Sequence, residues 1–151
     1  MYPRIIAAYS NHDLDIGKMV QRIIKYAPEE KISGLNKIRL VDKSPDDRFF
    51  ACYLKDHREI YLFVDDIIGW LPWLLKKSYI FPYLAVGLAL GHEIDHHVNR
   101  ENNTIDKEKS AECNALKYIY PSFGIFKPFM RLFTFIVSKG LRKAKSKKGK
   151  T

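Results

Sequence analysis

The sequence predicts a mixed α+β fold, because helical and strand patterns occupy separate stretches of the chain. Apolar side chains recur at helical spacing over Asp13–Tyr26. Short runs of β-branched and aromatic residues follow within Asn36–Val64, and turn residues separate them. Next, Ser78–Gly91 is uncharged and mostly apolar, as expected of a core helix. We therefore expect a small mixed sheet of about three strands packed on the helices that follow it, with further helices near both ends of the chain.

The first predicted helix covers Asp13–Tyr26, behind a cap at Ser10 or Asn11. Its apolar positions share one face, and they are Leu14, Val20, Ile23 and Ile24. Ala27-Pro28 should end the helix, because proline has no backbone N–H to donate and restricts the residue before it.

Three strands are predicted after this helix. They are Asn36–Asp42, Phe49–Lys55 and Glu59–Val64. The last two should form an antiparallel hairpin across Asp56-His57-Arg58, which leaves His57 as an exposed turn residue. Every residue of Ile60–Val64 is apolar or aromatic, so both faces of this strand are apolar. We therefore expect both faces to be covered.

Two apolar stretches after the hairpin are predicted to be core helices. They are Ile67–Leu75 and Ser78–Gly91, and neither approaches the about 20 apolar residues that a membrane span needs. The first contains Trp70-Leu71-Pro72-Trp73, for which we predict a packed loop. Contact of these tryptophans with lipid headgroups or with a substrate is the alternative.

The sequence His92-Glu93-Ile94-Asp95-His96 is an HExxH pattern at the end of this apolar stretch. On a helix, histidines at i and i+4 share a face, so both imidazoles can reach one Zn²⁺ at about 2.0–2.1 Å. Glu93 is then placed to take a proton from a water molecule that the metal activates. An accidental match is the alternative. The pattern predicts a catalytic zinc site with His92 and His96 as ligands.

Catalytic zinc usually has three protein ligands, so a third must come from elsewhere. His97 is a poor candidate, because an adjacent helical residue points about 100° away. A second helix is predicted over Thr104–Tyr118, with acidic residues in its first turn. The short polar linker Asn99–Asn103 should fold this helix back on the first, which brings Glu108 near His96.

Glu108 and Glu112 lie at i and i+4 on the predicted second helix and therefore share a face. The small residues Ala111 and Ala115 lie nearby and would let the two helices approach closely. The alternative for the two glutamates is a solvated face that pairs with neighbouring lysines.

These residues resemble the gluzincin metallopeptidases, in which a glutamate helix of form E-x-x-x-D/E follows HExxH. The short chain and short inter-helix loop are similar to the minigluzincins, and the resemblance covers about Leu40–Tyr118. It implies one Zn²⁺ per chain with three ligands, which are His92, His96 and Glu108. It also implies Glu93 as general base and acid, and Glu112 as an acid that hydrogen-bonds a ligand histidine. In the gluzincin order, three strands precede the metal helix and an edge strand pairs with extended substrate.

The net charge of +9 comes mostly from the carboxy-terminal residues. Lys139–Lys150 holds seven of the 26 basic residues and no acidic one, which leaves 19 basic against 17 acidic side chains. We predict a single domain over residues 1–138 and a disordered basic tail over 139–151. This tail could contact an anionic membrane. No aromatic residue alternates with its lysines, so specific nucleic-acid recognition is not expected.

A carboxy-terminal helix is predicted over about residues 127–138. Its apolar residues share one face, and they are Phe129, Leu132, Phe133 and Ile136. Packing on the core is the simplest interpretation. The helix could instead lie on a membrane surface with the basic tail, or cover the cleft and keep the protein latent.

Two cysteines, Cys52 and Cys113, do not make a disulfide framework and are expected to be buried apolar fillers. The amino-terminal residues lack the long apolar core of a signal peptide. The cysteine content and the absence of this apolar core together predict a cytoplasmic protein. At 151 residues and 46% hydrophobic content, the chain can also bury a core.

The function predicted from the sequence is that of a zinc-dependent endopeptidase acting on peptide or protein substrates. Three side chains are candidates for stabilising the oxyanion, and they are Tyr118, Tyr120 and His97. One alternative is a zinc-binding regulatory domain with a blocked, inactive site. The other is a basic membrane or nucleic-acid adaptor in which the motif is accidental.

Overall fold

The computed structural model describes residues 2–10, 13–46, 49–99, 111, 114, 115 and 117–126. Its strands are β1 (Arg4–Ala8), β2 (Lys37–Val41), β3 (Ala51–Leu54) and β4 (Glu59–Phe63). Its helices are α1 (Ile16–Tyr26), α2 (Glu29–Ile32), α3 (Val64–Trp70), α4 (Trp73–Lys76) and α5 (Ile80–Val98). A 3₁₀ helix covers Tyr120–Phe126. The predicted α+β class is therefore confirmed. The predicted carboxy-terminal helix and basic tail lie outside the described residues.

The described strands form one mixed sheet of four strands in the order β1-β2-β4-β3. β1, β2 and β4 run parallel, and β3 pairs antiparallel with β4 as the predicted hairpin. His57 lies exposed in the turn of that hairpin, as expected. β1 was not predicted from the sequence, because it is a short edge strand that ends in two alanines, which have little preference for strands. β3 forms the opposite edge of the sheet.

The two faces of the sheet differ in what covers them. Ile38, Leu40, Ile60 and Leu62 lie on the inner face and are fully buried under the helices. On the outer face, the Glu59 carboxylate accepts hydrogen bonds from Arg39 Nε at 2.7 Å and Lys37 Nζ at 2.9 Å. These two cations hold the pKa of Glu59 at about 2. Glu59 and Phe63 on the outer face are also buried, and only Tyr61, beside Arg39, is half-buried. The expected cover on both faces of β4 is therefore confirmed except at Tyr61.

The amphipathic pattern of the first helix is confirmed by α1, although α1 begins later than expected. Its cap is Asp15, whose Oδ1 accepts a hydrogen bond from the backbone N–H three residues on, at 2.9 Å. Ser10, one of the two expected caps, instead donates from its hydroxyl to Asp42 at 2.9 Å. That bond connects the end of β1 to the end of β2. The other expected cap, Asn11, lies outside the described residues.

The predicted helix over Ile67–Leu75 is two short helices. Pro72 lacks the N–H that would continue the helix, so α3 ends at Trp70 and α4 begins at Trp73. The predicted packed loop is wrong for the tryptophans, because Trp70 is 68% exposed and Trp73 is 70% exposed. Leu71 between them is buried at 7% exposure and anchors the turn to the core.

α5 is the longest described helix and packs against α1, α2, α3, β3 and β4. It joins the predicted apolar stretch and the HExxH motif into 19 residues without a break. None of the described helices is long and apolar enough to cross a membrane.

A second helical stretch returns alongside α5. Ala111, Asn114, Ala115 and residues 117–119 are helical, and we call these described residues the return segment. Gly91 of α5 faces Ala115, and Gly87, one turn earlier, faces Ile119. This register is antiparallel, which is the direction that the predicted hairpin of two helices requires. Residues 100–103 of the predicted linker lie outside the described residues.

The two helices approach each other most closely at Gly91. A Cβ atom placed there would lie 2.5 Å from the Ala115 carbonyl oxygen and 2.9 Å from the Ala115 Cα. At Gly87 the same atom would lie 3.1 Å from the Ile119 side chain, which can move aside more easily than a backbone can. The fold therefore requires glycine at position 91.

Replacing Gly91 by alanine should lower the free energy of unfolding by about 1–3 kcal/mol, because the new methyl group overpacks a contact with backbone atoms. Gly69→Ala is the matched control, since Gly69 also lies in a helix but has open space around it. There, alanine should be neutral or stabilise by up to about 1 kcal/mol through helix propensity. Urea unfolding measures both. A Gly91→Ala protein as stable as the Gly69→Ala protein would contradict the close packing.

Candidate metal centre

The two motif histidines converge on one point beside α5. His92 and His96 are one helical turn apart, and their Nε2 atoms are 3.0 Å from each other. The ring centroids are 4.7 Å apart and the ring planes are nearly perpendicular, at 82°. Two neutral imidazoles sharing one hydrogen bond have such a separation, and so do two ligands of one metal ion.

The separation of the two nitrogens fits zinc. Ligands at about 2.0–2.1 Å from a tetrahedral ion lie about 3.3 Å from each other, close to the 3.0 Å found here. Imidazole nitrogen is also a preferred donor for zinc. Within the described residues, His92 and His96 together with Glu93 form a group whose ligand atoms all lie within 4.8 Å of one another.

The residues of this group differ in their exposure to solvent. His92 and His96 are half-buried and so reach the surface, whereas Glu93 is buried at 6% exposure. A carboxylate is rarely buried unless it has polar or charged partners, and Glu93 does have an interaction of this kind. The arrangement places a basic oxygen beneath two potential ligands that open toward solvent.

The position of each residue around α5 shows what flanks the site. At about 100° per residue, Gly91 and Asp95 lie to one side of the two histidines, and Glu93 and His97 lie to the other. The first pair faces the return segment. His97 faces β3. The histidine pair therefore opens into the gap between the return segment and the edge strand β3.

His97 fastens α5 on the β3 side. It is 2% exposed, and its Nε2 lies 2.9 Å from the Ser33 carbonyl oxygen, so Nε2–H is the donor of that bond. In the neutral ring Nδ1 then accepts from the Tyr53 hydroxyl of β3, also at 2.9 Å. The Tyr53 and His97 rings additionally meet edge to face. His97 thus holds the helix in place and, as expected, is not directed at the metal site.

Asp95 fastens α5 on the opposite side. Its carboxylate is 1% exposed and accepts three hydrogen bonds from neutral donors. Asn114 Nδ2 and the Tyr118 hydroxyl reach Oδ1 at 3.0 and 2.9 Å, and Asn99 Nδ2 reaches Oδ2 at 2.8 Å. Two of these donors belong to the return segment. The bonds therefore fix the return segment against the motif.

Two of the three candidates for oxyanion stabilisation are already engaged in these contacts. Tyr118 donates its hydroxyl proton to Asp95, and burial followed by this hydrogen bond raises the pKa of Tyr118 to about 12. His97 has both ring nitrogens occupied on the β3 side. Assigning either residue to the oxyanion is therefore wrong for this arrangement. Tyr120 is half-buried and stays a prediction.

The edge strand β3 lies within electrostatic reach of the motif. Burial raises the pKa of the Cys52 thiol in β3, and the negative charge of Glu93 raises it further. Cys52 carries a free thiol and is only half-buried, which differs from the fully buried filler that we expected. Glu93 and β3 thus line the same side of the site.

The remaining predicted residues of the site, Glu108 and Glu112, lie outside the described residues, as does Cys113. The contacts of Asp95, a charged residue inside HExxH, were not predicted from the sequence. A signal was present: Asn114 and Tyr118 lie at i and i+4, so two donors share one face of the second helix. No comparable signal links His97 to Ser33 or Tyr53, because those contacts depend on the tertiary fold.

Comparisons of the chain with protein-family models, with curated proteins and with solved structures found no match. The resemblance to gluzincins therefore rests on the motif residues of the chain itself.

Asp95→Ala should lower the free energy of unfolding by about 2–4 kcal/mol, because three donors lose a buried charged acceptor. Tyr118→Phe removes one of those donors and should cost about 1 kcal/mol. Asp56→Ala, in the exposed hairpin turn, is the control and should stay within about 0.5 kcal/mol of the wild type. Urea unfolding measures the free energy of unfolding of each variant. If Asp95→Ala were as stable as Asp56→Ala, Asp95 would not hold the two helices together.

Proposed function

We propose that the chain is a zinc-dependent endopeptidase with a gluzincin-like site. The observation that carries this proposal is the 3.0 Å approach of the two Nε2 atoms beside a buried glutamate. Two histidines and a general base in this arrangement match the chemistry that zinc hydrolases need.

We propose His92, His96 and Glu108 as the zinc ligands. The direction of the return segment supports Glu108. Going backwards along the chain, Ile119 faces Gly87 and Ala115 faces Gly91, so the segment runs toward the end of α5 that carries His96. The described part of this segment lies on the side of the histidines opposite to β3, and this position and direction favour a third ligand from the same helix. Glu112 is proposed to hydrogen-bond a ligand histidine and fix its orientation.

In this proposal Zn²⁺, when bound, acidifies water and polarises the scissile carbonyl group. Glu93 takes the proton of the attacking water and delivers it to the leaving amine nitrogen. The position of Glu93 supports this, because it lies between the two imidazoles and β3. As an edge strand, β3 has one side on which an extended peptide can pair, which would hold the scissile bond near Glu93.

The setting of the protein is part of the proposal. A cytoplasmic location is supported by the free thiol of Cys52, which would be exposed to oxidation elsewhere. Peptides or proteins are the proposed substrates. Membrane contact through the basic tail involves residues outside those that the structure describes.

Purified wild-type protein should hold one zinc ion per chain. His92→Ala, His96→Ala and Glu108→Ala should each reduce the zinc content at least about tenfold at equal chelator concentration, because three ligands cannot be reduced to two without loss of affinity. Glu93→Gln should retain the metal. His57→Ala is the control, since His57 is exposed in the hairpin turn. Inductively coupled plasma mass spectrometry measures the zinc content of each variant. Full zinc content in Glu108→Ala would exclude Glu108. Two other acidic residues of the predicted second helix, Asp106 and Glu112, would then be the candidates for the third ligand.

Glu93→Gln should lower cleavage of a mixed peptide library by about two decades or more while zinc content and fold are kept. Glu30→Gln, an exposed glutamate of α2, is the control and should cleave as the wild type does. Equal cleavage by wild type and Glu93→Gln would contradict the proposed chemistry.

The alternative function, a zinc-binding domain with a blocked site, predicts a different outcome. A latent peptidase gains cleavage when the chain is ended before Lys127, provided that circular dichroism shows the shortened protein to be folded. A blocked regulatory domain binds zinc and cleaves nothing in either form.

A further inference from the structure

An exposed aromatic surface lies at the turn between α3 and α4. Trp70, Trp73 and Leu74 are each about two-thirds exposed, and the exposed ring of Phe50 meets Trp70 edge to face at 6.1 Å. We call these four residues the tryptophan surface. Isolated exposed apolar side chains are common, but a group of this size usually marks a binding surface.

The backbone beneath the tryptophan surface is ordered by the core. Leu71 is buried, and its N–H donates to the Ile68 carbonyl oxygen at 3.2 Å. On the other side of Pro72, the Leu75 N–H donates to the Pro72 carbonyl oxygen at 2.9 Å. These bonds hold the two tryptophans on either side of a buried anchor, so the local backbone directs both of them outward.

Positive charge adjoins the tryptophan surface. Lys76 and Lys77 follow Leu74 directly, and Lys77 Nζ lies 5.4 Å from the centre of the Trp73 ring. The carboxylate of Asp66 in α3 accepts a hydrogen bond from the Ser44 backbone N–H at 2.7 Å and so is used by the fold. The whole chain carries a net charge of +9.

We propose that the tryptophan surface docks on an anionic lipid bilayer. Tryptophan rings favour the headgroup level of a membrane, and adjoining lysines gain from anionic lipid. Both α3 and α4 are far too short to span, so the contact is peripheral. A second copy of this chain is the less favourable occupant, because it would bring the lysines beside the tryptophan surface of each copy toward one another.

Docking in this orientation would also place the candidate peptidase site near the membrane. Phe50 directly precedes β3, the edge strand that flanks the metal site. The docking proposal stands on the exposure and charge of the surface and does not depend on the proposed peptidase activity.

The chain offers a direct reporter, because Trp70 and Trp73 are its only two tryptophans. Full-length protein is mixed with vesicles of phosphatidylcholine and phosphatidylglycerol in a ratio of about 7:3, and with vesicles of phosphatidylcholine alone. With the anionic vesicles, tryptophan emission should shift to the blue, and lipids brominated near the headgroup should quench it. With neutral vesicles both changes should be much smaller.

Co-sedimentation with the anionic vesicles then compares variants that circular dichroism shows to be folded. The double variants Trp70→Ser/Trp73→Ser and Lys76→Glu/Lys77→Glu should each bind about tenfold more weakly than the wild type. Lys25→Glu/Lys55→Glu is the matched control. It makes the same change in net charge at two exposed lysines, one in α1 and one in the hairpin turn. It should lose clearly less affinity.

Four outcomes would overturn the proposal. The first is that the protein does not bind anionic vesicles. The second is that it binds them with unchanged tryptophan emission, which assigns binding to another part of the chain. The third is that the tryptophan double variant binds as the wild type does. The fourth is that emission shifts with protein concentration alone while sedimentation velocity shows dimers, which identifies a second copy as the occupant.

Discussion

The packing of Gly91 against the backbone of Ala115 is the contact on which the candidate site depends. Gly91 directly precedes the first motif histidine, so the distance between the two helices at this point sets the width of the site. Because any Cβ at position 91 would collide with backbone atoms, the second helix cannot retain its position with another residue there. Close packing at Gly91 thus sets the position of the second helix relative to the two motif histidines.

Polar contacts then prevent α5 from rotating about its own axis. Asp95 is bound by the return segment on one side, and His97 is bound by Tyr53 and Ser33 on the other. Each of these side chains is almost fully buried, where an unsatisfied polar group is strongly unfavourable. A rotation of α5 would break both sets of bonds at once. His92 and His96 lie between the two, so their direction into the gap is determined by residues that do not themselves face it.

Local patterns were sufficient to predict α1, β2, the β3–β4 hairpin and α5, because hydrophobic spacing and turn residues act over a few neighbours. They were not sufficient for contacts between distant parts of the chain. Asp15 caps α1, whereas the hydroxyl of Ser10, an expected cap, is hydrogen-bonded to Asp42, which lies 32 residues away. The partners of His97 are Ser33, directly after α2, and Tyr53 of β3, which are 64 and 44 residues away in sequence. The exposure of Trp70 and Trp73 ran against their hydrophobicity, because Pro72 interrupts the helix and Leu71 alone turns inward.

We propose that one zinc ion binds His92 and His96 in the gap between the return segment and β3. A crystal structure of the zinc-loaded protein, with anomalous data at the zinc edge, would locate the ion. We expect one strong anomalous peak at about 2.0–2.1 Å from both Nε2 atoms, with an oxygen ligand from the second helix. A zinc ion bound elsewhere, or bound through cysteine sulfur at about 2.3 Å, would show that the proposed site is wrong.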